Sequence, residues 1–431
     1  MNNQKYFKAN ISQSLTPTLL IPFLWIIINN TKGILFWKNT LLDVDFDLKQ
    51  SYYDGSPFDR VIMSILLIIG LSILFHRRFK LMELARKNVW LLVLLFYMLI
   101  SIIWGEYQFI ALKRWIKTFG TIVMVAIIAT ERLPFKAGIL TVELLSAFVL
   151  IISLILIIVF PNIGIMYLQS VGNCWTGLTS HKNQLGQWAS IGAIIFFWQY
   201  WNCHGAFRKS VCLSLSGLSF ILLIGSKSET ATLLTLFGIV LMVCLVVIRK
   251  IGKGSSLFAL IALITLVASI LLYSQFFLNG SLLNKFFNAI GKDSSFTGRT
   301  DIWGIALQTA GKKMLLGYGY GTFWMTNSAD KIRQICEWDF FSAHNGFLDI
   351  YLHLGLLGLV LSMFYIFSAF IGIISIYRRD YKNGILWVIF ICVTLLSNLF
   401  ESNFGIMAHE FWFLSILVCF RMPEKSLTYR Y

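Results

Sequence analysis

The chain is 431 residues long, 57% hydrophobic and only 13% charged, with a mean hydropathy of +0.74. Soluble globular chains carry about one quarter charged residues, so a soluble fold is excluded and a polytopic membrane protein is implied. The net charge of +16 would suit nucleic acid, but the cations fall in short connections between apolar windows, which points to an inner leaflet and to no nucleic-acid partner.

A helix that crosses the bilayer core needs roughly 20 apolar residues. Windows near that length lie at 15–30, 61–76, 88–104, 117–130, 137–160, 185–201, 208–224, 230–248, 256–274, 355–377, 383–399 and 408–421. They predict an all-α, single membrane domain over 1–431 with about twelve transmembrane helices. The first window holds Pro17 and Pro22 and no small-residue cleavage site, so it is expected to remain as a span and not to be removed as a signal peptide. Orientation follows from Lys and Arg in the short connections. Lys5 and Lys8, Arg77 to Lys87, Arg132 and Lys136, Arg208 and Lys209, Arg249 to Lys253, Arg378 to Lys382 and the tail from Arg421 share one side, whereas Asp43, Asp45, Asp47, Asp54 and Asp59 fall on the other. Both termini are therefore expected in the cytoplasm, and the polar interval 275–354 is expected to face outward as one large loop.

Three outer segments carry cations that this rule does not demand. Lys113, Arg114 and Lys117 stand at the outer end of the fourth window, with Lys113 and Lys117 on one helix face. They either snorkel to headgroups beside Trp115 or bind an anionic ligand. A second segment, Ser180-His181-Lys182-Asn183-Gln184-Leu185-Gly186, opens an apolar window. Its polar groups can cap that helix, yet a lysine at a helix N terminus is unfavourable unless an anion shares the site, which favours a ligand role for Lys182. The third, Gly225-Ser226-Lys227-Ser228-Glu229-Thr230, is a short outer turn whose hydroxyls can simply satisfy helix ends.

The large loop is too rich in aromatics to be disordered, with Trp303, Trp324 and Trp338 among them. It contains Thr297-Gly298-Arg299-Thr300-Asp301-Ile302-Trp303, then Leu316-Gly317-Tyr318-Gly319-Tyr320-Gly321-Thr322-Phe323, then Ala343-His344-Asn345-Gly346 ahead of Gly355-Leu356-Leu357-Gly358. The glycines at 317, 319 and 321 lack a preceding strand and a Gly-Lys-Ser/Thr ending, so they are not a phosphate loop; a turn or a close backbone approach fits them better. Tyr and Trp belts form at any membrane interface, so no aromatic is assigned as a sugar platform. The seven cysteines include no CxxC and no cluster with His at ligand spacing. Cys174 and Cys336 share the outer side, where a disulfide could form.

Together these segments resemble the O-antigen ligase and exopolysaccharide polymerase superfamily of bacterial inner membranes. The most specific part is His344-Asn345, nine residues, then Gly355-x-x-Gly358; the likeness covers about 170–405 and is closer to the polymerase branch through Lys182-Asn183. Leu359-Val360 departs from the ligases, which often carry threonines there. The resemblance implies a helical, GT-C-like glycosyltransferase with its active site on the periplasmic face of the inner membrane. It implies an undecaprenyl-diphosphate-linked oligosaccharide as donor and a sugar-chain hydroxyl as acceptor, with no cofactor and no metal. Membrane lipids are a further expected partner, and a chain-length regulator is compatible with the family.

The chemistry then assigns roles. His344 is the expected general base, since imidazole suits proton removal near neutrality. Arg299 is the first candidate to stabilise the leaving diphosphate, followed by Lys182, Arg114 and Lys117. Asn345, Asn183 and Glu401 are candidates for the acceptor side, as are Asn403 and His409, although Glu401 could instead pair with an outer cation. Polymerisation of repeats is the expected activity. Transfer of a finished glycan by a ligase is the nearest alternative, and a polysaccharide flippase is the alternative from another class.

Overall fold

The computed structural model of the chain describes residues 17–33, 57–168, 171–251, 299–336, 340–402 and 410–422. Among these, helices occupy every expected window except the ninth, 256–274, which lies outside the described residues. In chain order they are α1 (Leu20–Asn30), α2 (Pro57–His76), α3 (Arg78–Lys87), α4 (Val89–Ile100), α5 (Gln108–Ala129) and α6 (Pro134–Val159). They continue as α7 (Lys182–Asn202), α8 (Ala206–Ser226), α9 (Glu229–Ile251), α10 (Arg299–Ala310), α11 (Asn327–Cys336), α12 (Gly346–Arg379), α13 (Tyr381–Ser397) and α14 (Glu410–Cys419). Five are individually long and apolar enough to cross a membrane, or up to six if the bent α3–α4 pair counts as one span. The chain is thus a mostly helical membrane protein, and twelve crossings remain what the hydropathy predicts.

Local sequence explains the boundaries. Pro134 stands in the first turn of α6, where its missing N–H costs nothing. Asn88 separates α3 from α4 at a bend of 81°, and its side-chain amide donates to the Leu84 and Arg421 carbonyls. At the same end of the bundle Arg77 pairs with Glu131 at 2.9 Å and donates to Thr18, while Lys80 donates to the Thr130 carbonyl. Cations that the sequence counted as a topological signal therefore also tie helix ends together.

In the interior, α7 packs on α6, α8 and α9, α12 on α4 and α13, and α13 on α9 and α14. Trp188, Trp387 and Trp25 are fully buried among them. The all-α expectation needs one small correction. After α6 a single helical turn leads into an antiparallel hairpin of β1 (Ile165–Leu168) and β2 (Gly172–Trp175), with Met166 opposite Cys174. Only four residues long, each strand is too short to show a period of two in the sequence. Cys174 is a free thiol that donates to the Met166 carbonyl, so the disulfide to Cys336 is not formed.

The outer loop builds a core of its own. Ile302, Trp303, Tyr318, Phe323, Trp324, Ile332, Phe340 and Leu352 bury one another, separately from the main core. Helix α12 already begins at Gly346, inside the segment expected to be loop. At Gly355 α12 breaks, with φ 66° and ψ −166°. A β-carbon there would overlap the Leu315 carbonyl, so only glycine fits. Residues 346–354 therefore belong to the loop and 356–378 to the span.

Candidate active site

His344 lies just before α12 in the left-handed region, φ 49°, which is rare outside glycine. Its neighbours explain how that conformation is held. The Trp303 indole N–H donates to the Ala343 carbonyl at 2.7 Å, and the Ala343 N–H donates to Asp349 at 3.1 Å. Asp349 is buried and also accepts from the Trp324 indole at 2.7 Å and from Ser402. On the other flank the Gly346 N–H donates to the Asn398 carbonyl at 2.8 Å, and a β-carbon on Gly346 would overlap the Asn398 side chain. Asn345 caps α12, its side-chain oxygen accepting from the Phe347 and Leu348 N–H groups. Residues 343–346 are thus fastened by α10, by α12 and by the turn after α13.

That fastening aims the imidazole. His344 Nδ1 lies 3.0 Å from Glu401 Oε2, and Glu401 Oε1 accepts from the Asn183 amide at 2.9 Å. Both partners are mostly covered, the side chains being 22% and 12% exposed. An ionised carboxylate only accepts, so the contact requires a proton on Nδ1 and leaves the lone pair on Nε2. Three segments far apart in sequence meet in this relay: the start of α7, the loop before α12 and the turn after α13.

The residue before Asn183 brings a pair of cations to the same end of α7. Lys182 is the first residue of α7, behind His181, whose ring accepts from the Asn183 N–H and caps the helix. Lys182 Nζ donates to the Lys227 carbonyl at 3.2 Å, and Lys227 Nζ donates to the Val171 carbonyl at 3.0 Å. Lys227 is itself left-handed, φ 51°. Burial pushes the Cys174 thiol up, and the charges of Lys182 and Lys227 oppose that shift. The Lys182 position at the positive end of the α7 dipole is one that an anion would relieve.

The remaining candidates divide. Asn183 and Glu401 join His344, with Glu401 engaged by the imidazole and by an amide. Asn345 serves as a helix cap. Arg114 donates to the Gly321 carbonyl, and the charged groups around Lys117 are Asp59 and Arg114. Arg299 opens α10, but its side chain lies outside the described residues, as do Asn403, His409 and Trp338. Tyr320, Phe323 and Trp324 are core residues. Among the described residues no group of three or more His, Cys, Asp or Glu could hold a metal ion. Sequence reasoning missed the roles of Trp303, Asp349 and Lys227. Their signals were a tryptophan four residues after Arg299, a lone carboxylate at the start of an apolar helix, and a lysine in a turn with no room for a helical residue.

Residues 214–363, which carry Lys227, Arg299, His344 and the Gly355–Gly358 pair, match the family model described as O-antigen ligase. The chain is also 24% identical over 295 residues to the exopolysaccharide production protein ExoQ of Rhizobium meliloti (strain 1021), covering 66% of this chain and 65% of that protein. The likeness to the O-antigen ligase and exopolysaccharide polymerase superfamily holds. Within that superfamily's matched region lie the His344 loop and the Lys227 turn, whereas Asn183, Lys182 and Glu401 lie outside 214–363. The match spans 65% of the length of that curated relative.

Proposed function

We propose that the chain is a glycosyltransferase of the inner membrane that polymerises undecaprenyl-diphosphate-linked oligosaccharide repeats at the periplasmic face. The observation that carries this reading is the Asn183–Glu401–His344 relay, which suits a histidine base, at the end of α7 where Lys182 contacts the Lys227 turn. In the reaction the acceptor hydroxyl gives its proton to His344 Nε2 as its oxygen bonds to the anomeric carbon. The bond from that carbon to the diphosphate oxygen breaks, and the lipid diphosphate leaves with the electron pair. Developing charge on the phosphate falls to Lys182, Lys227 and the start of α7, with Arg299 as a further cation. Glu401 orients the imidazole and steadies it once protonated.

Ligase activity is the second reading, favoured by the description of the matched family model. The two share the catalytic step and differ in acceptor. The test is the polysaccharide profile of cells lacking the protein, complemented with wild type, His344→Asn and Arg299→Ala at matched membrane levels. Restoration of high-mass polymer by wild type alone, with single lipid-linked repeats left outside by both variants, is the expected result. Polymer that forms without the protein but never reaches its acceptor identifies a ligase. Repeats trapped on the cytoplasmic face would overturn both readings in favour of transport.

A further inference from the structure

The Gly355 break in α12 leaves two helix-initial N–H groups without partners one turn back. They are taken up by the outer loop: Leu356 N–H donates to the Met314 carbonyl at 2.8 Å and Leu357 N–H to the Leu315 carbonyl at 3.2 Å. This fixes the height of residues 314–316 against the span. From Leu356 to Arg378 the helix rises about 33 Å at 1.5 Å per residue, close to the roughly 30 Å thickness of the hydrocarbon core. Arg378 belongs to the basic connection that marks one membrane surface, so Leu356, and Met314 with it, stand at the opposite boundary.

At that boundary the segment offers apolar side chains outward. Met314, Leu315 and Leu316 are 50%, 62% and 48% exposed, and they continue without interruption into Leu356 and Leu357 on the flank of α12, 44% and 43% exposed. Three consecutive exposed apolar residues would be a liability in water. Immediately before them come Lys312 and Lys313 in a short 3-10 turn, both exposed, with Lys313 Nζ 4.7 Å from the centre of the Tyr318 ring. Apolar side chains beside lysines, at the edge of a span, match the two layers of a leaflet: acyl chains, then phosphates.

We propose that residues 311–316 form a wedge set into the phospholipid leaflet on the His344 side, with Met314, Leu315 and Leu316 among acyl chains and Lys312 and Lys313 at the lipid phosphates. The wedge follows directly on α10, which carries Trp303, the residue that holds the Ala343 carbonyl. Lipid contact at 311–316 therefore sets the height of the His344 loop above the bilayer.

The test uses the full chain in phospholipid vesicles. A nitroxide is attached at Leu315→Cys or, as a water-exposed control on α11, at Lys331→Cys, with the native cysteines replaced. Its collisions with oxygen, which concentrates in hydrocarbon, are compared with those of a water-soluble nickel chelate. The label at 315 should favour oxygen several-fold relative to that at 331. Equal preference for the nickel chelate at both positions overturns the wedge, and so does shielding of 315 from both reagents. Should the cysteine-free background not fold, the unsubstituted chain is photolysed with a phospholipid bearing a diazirine in its acyl chain. Adducts on 311–316 are then expected, and adducts confined to the spans overturn the proposal.

Discussion

His344 bears a strained backbone and a buried carboxylate partner, a combination that a simple helix cap would not need. Strain at such a residue costs about 1–3 kcal/mol and gathers at functional sites. Asn tolerates the left-handed region, so His344→Asn should keep its membrane level and melting temperature while turnover of lipid-linked repeats in proteoliposomes falls roughly 100- to 10,000-fold. A loss of less than about tenfold would refute the role of base. Glu401→Gln tests the relay. With Asn183 still donating to the side-chain oxygen, the new amide nitrogen faces Nδ1, which must then accept, and the proton moves to Nε2. The expected result is a fall in kcat close to that of His344→Asn with KM little changed, and partial recovery in Glu401→Asp. An unchanged kcat in Glu401→Gln would show that the carboxylate does not set the tautomer. From the sequence alone His344 was legible through its motif, and Glu401 was recognised as a site candidate but not as the partner of His344. A separation of 57 residues has no local signature, and the pair meets only because the turn after α13 folds back onto the Gly346 amide.

At the scale of elements, the hydropathy windows found the helices because each carries an apolar run, and the loop was expected to be ordered from its aromatics. The coupling between its parts was not visible. Trp303 looked like one more loop aromatic, yet its indole N–H joins α10 to the residue before His344. Trp303→Phe keeps most of the ring in the outer core and removes that donor, leaving a buried carbonyl short of a partner at a cost of about 1–3 kcal/mol. Lower turnover at an undiminished membrane level is the expected outcome, with a drop in the melting temperature of the purified protein. If melting falls and turnover per folded molecule does not, the clamp is structural only. Gly355 shows the opposite case. The spacing from His344 was legible as a motif, but its reason, the left-handed break that lets Leu315 approach, needed the backbone.

The whole molecule separates two polar ends. Arg77, Glu131, Thr130 and Lys80 meet at one end of the bundle, and Asn183, Lys182, Lys227, Glu401 and His344 meet elsewhere, where α7 begins. Between Lys182 and Asn202 α7 rises about 30 Å, enough to cross the hydrocarbon core, although its Gln and Asn residues dilute its hydropathy. Gly172, in the hairpin before α7, and Gly205, just after it, both have positive φ and open space around the position of a β-carbon, so each should tolerate an inserted reporter. If the cations mark the cytoplasm, alkaline phosphatase inserted at Gly172 is active and the same enzyme at Gly205 is not, because it folds only outside the reducing compartment; a green fluorescent protein tolerant of neither export nor oxidation gives the reverse. Activity at both positions would mean that α7 does not cross. The reverse pattern would put His344 in the cytoplasm, away from repeats that have been exported, and the proposed polymerisation at the outer face would fall with it.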